Sequence, residues 1–96
     1  MPAVTRKGDA DVVHCSGPLR DMCSSNVFAN NIGISRQGDN NTVHVLPAAP
    51  CVPHSAPIQI GSTTVFINNK GCGRVGDVIA GCTSVAAGSP NVFAGG

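Results

Sequence analysis

The apolar residues of this 96-residue chain occur in short runs, each bounded by Gly, Asn, Ser or Pro. Short runs rich in Val, Ile and Phe are typical of β-strands. We expect strands at 27–29, 58–60, 64–67 and 91–93, and the alternation over 42–45 indicates a further, half-exposed strand. The twelve Gly and seven Pro would interrupt a helical stripe. The pattern therefore predicts an all-β fold of short strands and hairpins.

One phrase of the sequence recurs. Val-Phe-Ala-Asn-Asn at 27–31 is answered by Val-Phe-Ile-Asn-Asn at 65–69, a period of 38 residues, and Val-Phe-Ala returns at 92–94. The Asn pairs predict turns, because Asn tolerates positive φ. Repetition at such a period indicates one supersecondary unit used several times. Fewer than three full copies fit, so we expect one domain over 1–96 with pseudo-threefold symmetry.

A second repeated phrase, Arg-x-Gly-Asp, carries candidate chemistry. It occurs at 6–9, 36–39 and 74–77, and the residue five positions after each Asp is His14, His44 or Cys82. Equivalent positions of a pseudosymmetric body lie near one axis, so these three side chains would converge. Ordinary surface histidines and a buried cysteine are the alternative, but the equal spacing favours a shared site.

A fourth ligand is available in the Pro-rich segment 47–57, where His54 lies. Three imidazoles and one thiolate form a closed tetrahedral set that suits Zn²⁺, and the thiolate favours zinc over Fe²⁺. Other cysteines stay open as ligands: Cys51 forms a Cys-x-x-His pair with His54, Cys15 adjoins a histidine, and Cys72 lies in the last full repeat. We expect these three to be small buried hydrophobes instead.

The Asp of each Arg-x-Gly-Asp phrase is expected to be structural. A carboxylate directly after Gly fits a turn in which it accepts local backbone N–H groups, and the Arg would pair with a carboxylate of a neighbouring unit. Only two other acids are present, Asp11 and Asp21, which leaves little material for general acid–base catalysis. A metalloenzyme would also need an open coordination position. We therefore predict no catalytic residues and no enzyme activity.

Composition narrows the function further. A domain of this size has a thin core and usually needs a metal, disulfides or a partner for stability. A net charge of +1 and a charged fraction of 11% argue against nucleic-acid binding. The N-terminus lacks the layout of a secretory signal peptide, and no apolar run is long enough for a membrane span. The five cysteines are an odd number, which favours metal ligation over a disulfide framework.

Three aromatic residues are present, and all occupy the same slot of the repeat: Phe28, Phe66 and Phe93. We expect them in the core, with a docking surface at the base of the body as the alternative.

Taken together, the phrases resemble the PAAR-repeat proteins. The segments that carry the resemblance are 6–14, 25–39, 63–77 and 87–95. The Pro-Ala-Ala-Arg element itself is degenerate, since Gly33-Ile-Ser-Arg36 and Gly71-Cys-Gly-Arg74 stand in its place and retain the Arg.

This resemblance implies a small β-rich cone that caps and sharpens a trimeric β-helical spike, one tip per trimer, with a structural zinc near its apex. The implied ligands are His14, His44, His54 and Cys82. Such tips pierce membranes mechanically and take no small-molecule substrate. The repeated Val-Phe phrases, with no domain expected at either end, favour a phage baseplate and hence the virion. The alternatives are a type VI secretion tip, made in the bacterial cytoplasm and delivered outward, and a stand-alone zinc-binding interaction module.

Overall fold

The computed structural model of the chain describes residues 1–13, 17–45 and 53–95. Regular structure in these ranges is confined to strands and isolated bridges, without a helix, so the all-β prediction is confirmed there. The strands are β1 (Phe28–Ala29), β2 (Ile32–Gly33), β3 (His44–Val45), β4 (Pro53–His54), β5 (Phe66–Ile67) and β6 (Lys70–Gly71). They form three antiparallel pairs, β1–β2, β3–β4 and β5–β6. None of the described residues belongs to a helix that could cross a membrane.

The two copies of the Val-Phe phrase are β-hairpins with the same register. In β1–β2, Phe28 stands opposite Gly33, and in β5–β6, Phe66 stands opposite Gly71. The turns have positive φ at both central residues: 55° and 65° at Asn30 and Asn31, and 53° and 66° at the second Asn pair. Two central residues of positive φ are the geometry of a type I′ turn, which matches the twist of the flanking strands. The turn prediction from the Asn pairs is confirmed.

The two chain ends form a third unit of the same kind. Ala3 pairs antiparallel with Phe93, and the Val4 N–H donates to the Val92 carbonyl over 2.9 Å. The equivalent bonds run from Ile34 to Val27 (3.1 Å) and from Cys72 to Val65 (2.9 Å). The third unit is therefore split: residues 2–4 and 92–94 pair with each other without an Asn-Asn turn between them.

A closed ring of backbone hydrogen bonds joins the three units. Thr5 N–H donates to the Gly73 carbonyl (3.0 Å), Gly73 N–H to Ser35 (2.9 Å), and Ser35 N–H back to Thr5 (3.0 Å). A second cyclic set connects the same units two residues further along: Lys7 to Gly33, Gln37 to Gly71 and Val75 to Ala3. Because each unit donates to one neighbour and accepts from the other, the hydrogen bonding has approximate threefold symmetry.

Each unit begins with a buried serine that caps a turn. The hydroxyl of Ser24 accepts the N–H groups of the residues two and three positions later, at 3.2 and 2.9 Å. Ser62 and Ser89 do the same in their units. A serine oxygen that accepts local N–H groups stabilises a turn in place of a backbone carbonyl. The three serines therefore stabilise the turns that open the units.

The buried apolar side chains form two clusters along the chain of units. The first lies among the β1–β2 hairpin, the β5–β6 hairpin and the split third unit, which together we call the hairpin layer. Cys72 in this cluster is fully buried, which confirms the expected role of this cysteine. Its members are Val4, Ala29, Ile34, Ile67, Cys72 and Ala94. The second contains Ala56, Ile58, Ile79 and Val85, with Val75 and Cys82 packed against it. The molecule measures 38 × 23 × 20 Å, so it is elongated with two nearly equal short axes.

The three phenylalanines are exposed, so the prediction that they lie in the core is wrong. Their exposed fractions are 57% for Phe28, 59% for Phe66 and 51% for Phe93. Successive side chains of a strand point to opposite faces, and the residue after each Phe is the one that is buried: Ala29, Ile67 and Ala94. Small and branched side chains fill the narrow interior between the hairpins, which puts the larger phenyl rings outside.

Candidate metal centre

Each Arg-x-Gly-Asp phrase forms a clamp between its own Arg and Asp. In the phrase at 36–39, Asp39 accepts hydrogen bonds from the backbone N–H of Arg36 (2.8 Å), from its Nε (2.8 Å) and from its Nη2 (3.0 Å). The clamps at 6–9 and 74–77 make the same three contacts. The expected acceptance of a local N–H is confirmed. The expected pairing of Arg with a carboxylate of a neighbouring unit is wrong.

The glycine inside the phrase explains why the clamp closes locally. Gly8, Gly38 and Gly76 have φ of 89°, 88° and 92°, a backbone conformation that side chains other than Gly's rarely adopt. This turn brings residues three positions apart face to face, so each carboxylate lies against its own guanidinium. Hydrogen bonding to Asp9 and Asp39 raises the pKa of Arg6 and of Arg36.

The remaining guanidinium nitrogen of each clamp reaches the next unit. Arg6 Nη1 donates to the Asn30 side chain over 3.1 Å, and Arg36 Nη1 donates to the Asn68 side chain over 3.0 Å. Arg74 Nη1 donates to the backbone carbonyl of Gly95 at 3.0 Å. The neighbour is therefore contacted through the turn oxygen rather than through a carboxylate, and in the split unit a terminal carbonyl takes that place.

Beyond the clamps, the structure brings two of the predicted ligand positions together. His44 in β3 and His54 in β4 are cross-strand partners in register. Residues directly opposite each other in an antiparallel pair are neighbours whose Cβ atoms are about 4.5–5.5 Å apart. His14 lies outside the described residues, as do Cys15 and Cys51. Cys82 lies in a tight turn in which its N–H donates to the Ile79 carbonyl at 3.0 Å.

Three polar side chains are buried close to Cys82. Arg20, Asp11 and Asn41 are each 1% exposed. The threefold hydrogen-bond pattern aligns Arg20 with two apolar core residues: the N–H of Arg20, Ile58 or Val85 donates to the carbonyl of the clamp Asp at 2.8, 3.2 and 3.0 Å. The same pattern aligns Asp11 and Asn41 with Ile79. At the Asp11 position two units are polar and one is apolar, whereas at the Arg20 position one unit is polar and two are apolar.

Arg20 and Asp11 form an ion pair inside this group. The Arg20 Nε and Asp11 Oδ1 atoms are 3.2 Å apart, and both side chains are fully buried. Arg20 Nη1 also donates to the Asp39 carbonyl at 3.3 Å. Burial lowers the pKa of Arg20, and the charge of Asp11 opposes that shift. Removing either partner would leave the other charge buried, so the pair acts as one unit.

Asn41 connects this ion pair with Cys82. Its Nδ2 donates to Asp11 Oδ2 at 3.1 Å and lies 3.9 Å from the Cys82 Sγ atom as a hydrogen-bond donor. Its Oδ1 accepts the Ala56 N–H at 2.9 Å. Burial raises the pKa of the Cys82 thiol, while the hydrogen bonds from Asn41 and from the backbone of Thr83 oppose the shift. The cysteine sulfur is therefore packed against apolar atoms and hydrogen-bonded at the same time.

The described part of the structure contains some of the donor positions that a metal centre would need. Two hydrogen-bond donors face Cys82 and oppose the rise in its pKa that burial causes, and the histidine positions of β3 and β4 are paired. Among the side chains that the structure describes, no three of His, Cys, Asp and Glu form a metal-binding group. The side chains of His14, His44 and His54 are not among them.

Sequence reasoning missed Arg20 and Asn41. A signal for Asn41 was present, because it stands two positions after the clamp Asp, as do Asp11 and Ile79. Aligning the three phrases beyond the Gly-Asp pair would have shown a position that changes from Asp to Asn to Ile. Arg20 carries no such signal, because the loops that precede Arg20, Ile58 and Val85 differ in length.

No family model matches the chain, and no curated protein matches it either.

Proposed function

We propose that this protein is a PAAR-repeat spike tip: it caps and sharpens the trimeric β-helical spike of a contractile injection machine, a phage baseplate in the first instance. The observation that carries the proposal is the closed ring of hydrogen bonds through Thr5, Ser35 and Gly73. One chain that repeats a unit three times around an axis can present three equivalent surfaces. Three equivalent surfaces around one axis suit a partner that has true threefold symmetry.

The exposed phenylalanines support a docking surface in the hairpin layer. They occupy equivalent positions of the three units and each is more than half exposed. Large apolar side chains that recur on one layer of a small domain are typical of an interaction surface. We propose that Phe28, Phe66 and Phe93 contact the end of the spike, one per spike chain, and that backbone groups at the hairpin edges cover the strand ends of the β-helix.

The metal belongs to the other layer in this proposal, where the body narrows to a conical apex. His14, His44, His54 and Cys82 would hold a Zn²⁺ ion there. The apolar cluster that packs against Cys82 at this end has only four buried members, and a structural zinc site supplies on the order of 10 kcal/mol of folding free energy in small domains. Four protein ligands fill the coordination sphere, so the role is structural and mechanical rather than catalytic.

The docking experiment measures binding and stoichiometry against a panel of trimeric β-helical spikes from contractile tails and type VI machines. We expect one copy of this protein per spike trimer, and the spike type that binds distinguishes the two machines. Fully burying a Phe is worth about 1.5–3 kcal/mol, so Phe28→Ser, Phe66→Ser and Phe93→Ser should each weaken binding roughly 10- to 100-fold.

Val78→Ser is the matched control, because Val78 is 56% exposed but lies outside the hairpin layer. It should leave the affinity unchanged. Binding of three copies per trimer, binding to no spike, or equal losses for Val78→Ser and the Phe variants would each contradict the docking proposal. A folded protein that binds zinc but no spike would instead favour a stand-alone zinc-binding module.

The metal experiment measures the zinc and iron content of purified protein with each of the four ligands replaced singly by Ala. We expect one Zn²⁺ per chain in the unmodified protein and a loss of metal in all four variants. Cys23→Ala is the control, because Cys23 is a free cysteine that we do not assign to the site. Undiminished metal in all four variants would overturn the ligand set.

A further inference from the structure

We propose that Asn41 is a positioning residue of the metal centre, whose buried amide donates to the Cys82 sulfur and holds the ligand-bearing segments in register. This inference rests on the metal centre proposed above and goes beyond its four ligands. It assigns a role to an uncharged side chain that is 1% exposed.

The contacts of Asn41 reach every segment that carries a proposed ligand. Its Nδ2 contacts Cys82 itself and also Asp11, three residues before His14. Its Oδ1 accepts the N–H of Ala56, two residues after His54. Asn41 itself stands three residues before His44. One amide therefore connects four stretches of chain that are distant in sequence.

The threefold pattern shows why an amide is needed at this position. The equivalent residues are Asp11 and Ile79, both 1% exposed. Ile could make none of the three hydrogen bonds, and a carboxylate could accept the Ala56 N–H but could not donate to sulfur. Asn is the residue that offers a donor and an acceptor from one planar group of this size. The symmetry of the core is thus broken at the position that faces the Cys82 sulfur.

The chemistry of a thiolate ligand gives this hydrogen bond its effect. A metal-bound thiolate keeps negative charge on sulfur, and a buried N–H donor stabilises that charge strongly because the local dielectric is low. Removing a group that hydrogen-bonds to a metal ligand and orients it typically weakens metal binding about 10- to 100-fold. The Asp11 carboxylate, accepting from the same nitrogen, fixes the direction in which the amide points.

The test uses Co²⁺ as the metal probe, because a cobalt–thiolate bond has a charge-transfer absorption that reports on the sulfur. The informative variant exchanges two side chains, Asp11→Asn together with Asn41→Asp. The exchange keeps the net charge and a hydrogen bond between the two positions, and it removes the donor to Cys82. It also moves the carboxylate away from Arg20 Nε, its ion-pair partner at 3.2 Å, so urea unfolding of the exchange variant is measured first. We expect a folded protein with roughly 10- to 100-fold weaker Co²⁺ binding and a shifted charge-transfer band.

Two further variants separate positioning from stability. Asn41→Leu removes all three hydrogen bonds and should weaken Co²⁺ binding at least as much as the exchange. Asn40→Leu changes the neighbouring, less buried Asn and should bind Co²⁺ as the unmodified protein does. Urea unfolding of the metal-free proteins measures stability separately. Unchanged affinity and absorption in a folded exchange variant would overturn the role of Asn41.

A measurement on the unmodified chain needs no variant to fold. With ¹¹³Cd²⁺ in the site, scalar coupling between cadmium and the side-chain amide protons of Asn41 should be detectable by NMR, since it passes through the N–H···S hydrogen bond. Coupling to the ligand protons without coupling to Asn41 would overturn the inference and leave the metal centre intact. Absence of any cobalt–thiolate or cadmium–thiolate signal would overturn the metal centre as well.

Discussion

The Asp side chains of the Arg-x-Gly-Asp clamps are buried to different extents, and this difference predicts how much each clamp contributes to stability. Asp39 is fully buried, whereas the side chain of Asp9, in the equivalent clamp, is 13% exposed. Asp39→Ala removes an acceptor of three hydrogen bonds from Arg36 and leaves the Arg36 side chain, which is only 13% exposed, without its counterion. We expect Asp39→Ala to be the more destabilising of the two replacements.

The magnitude follows from these contacts. Breaking a buried ion pair from one side costs about 3–5 kcal/mol. Because the Arg36 side chain keeps some access to water, the cost should fall at the lower end, about 3 kcal/mol for Asp39→Ala and about 2 kcal/mol for Asp9→Ala. A domain of this length has a free energy of unfolding of roughly 5–14 kcal/mol, so both variants should fold. The loss for Asp39→Ala corresponds to a Tm lower by roughly 12–24 °C.

The assay is equilibrium unfolding in urea at one fixed Zn²⁺ concentration, because bound metal shifts apparent stability. Asp21→Ala is the control: it makes the same charge change at an exposed position and should alter stability by less than about 0.5 kcal/mol. The double variant Arg36→Ala with Asp39→Ala should cost clearly less than the sum of the two single variants, because the pair is lost only once.

Two results would refute this reasoning. A cost for Asp39→Ala no larger than for Asp21→Ala would mean that the clamp contributes nothing beyond its turn. Strict additivity in the double-variant cycle would mean that Arg36 and Asp39 stabilise the fold independently.

Three further predictions concern single positions. Gly38→Ala should cost about 1–3 kcal/mol from backbone strain at φ 88°, without a steric clash, since nothing lies within 4 Å of the added Cβ; a neutral variant in urea unfolding would contradict this. Burial raises the pKa of Cys72 to about 11 from 9.0, so the folded protein holds this proton after the unfolded chain has lost it. The stabilisation that the Cys72 thiol contributes is therefore complete below pH 9.0. Between pH 9.0 and about 11 it falls by about 1.4 kcal/mol per pH unit. Cys72→Val, which introduces the side chain of the equivalent Val4, should remove that loss in unfolding measured against pH. Arg20→Leu alone should destabilise by about 3–5 kcal/mol, whereas Arg20→Leu with Asp11→Leu should recover most of it; equal losses would show that the two charges are not coupled.

The prediction about the phenylalanines failed for a reason that concerns volume rather than hydrophobicity. The repeat shows that the three positions are equivalent, but it does not show which strand face turns toward the axis. In two-residue strands the pattern of apolar residues is continuous on both faces, so alternation cannot decide between them. Packing decides it, because only small or branched side chains fit where three hairpins meet.

The third unit illustrates a different limit. Its two halves are the first and the last residues of the chain, and the bond between Val4 and Val92 joins them. The sequence contains the Val-Phe-Ala phrase at the end and an Arg-Lys-Gly-Asp phrase at the start. Nothing local says that one continues the other, since loop closure over the whole chain leaves no trace in short-range pattern.

What the amino-acid sequence determines by itself is local: the Asn-Asn turns, the Gly-Asp clamps and the class of short β-strands all depend on residues within three or four positions of one another. The clamp of Arg36 and Asp39, three positions apart, is a property of that segment. What only the tertiary structure decides is which equivalent segments meet. The ring through Thr5, Ser35 and Gly73 and the contact of Asn41 with Cys82, 41 positions apart, exist because three units close around an axis, and that closure depends on packing and not on any single motif.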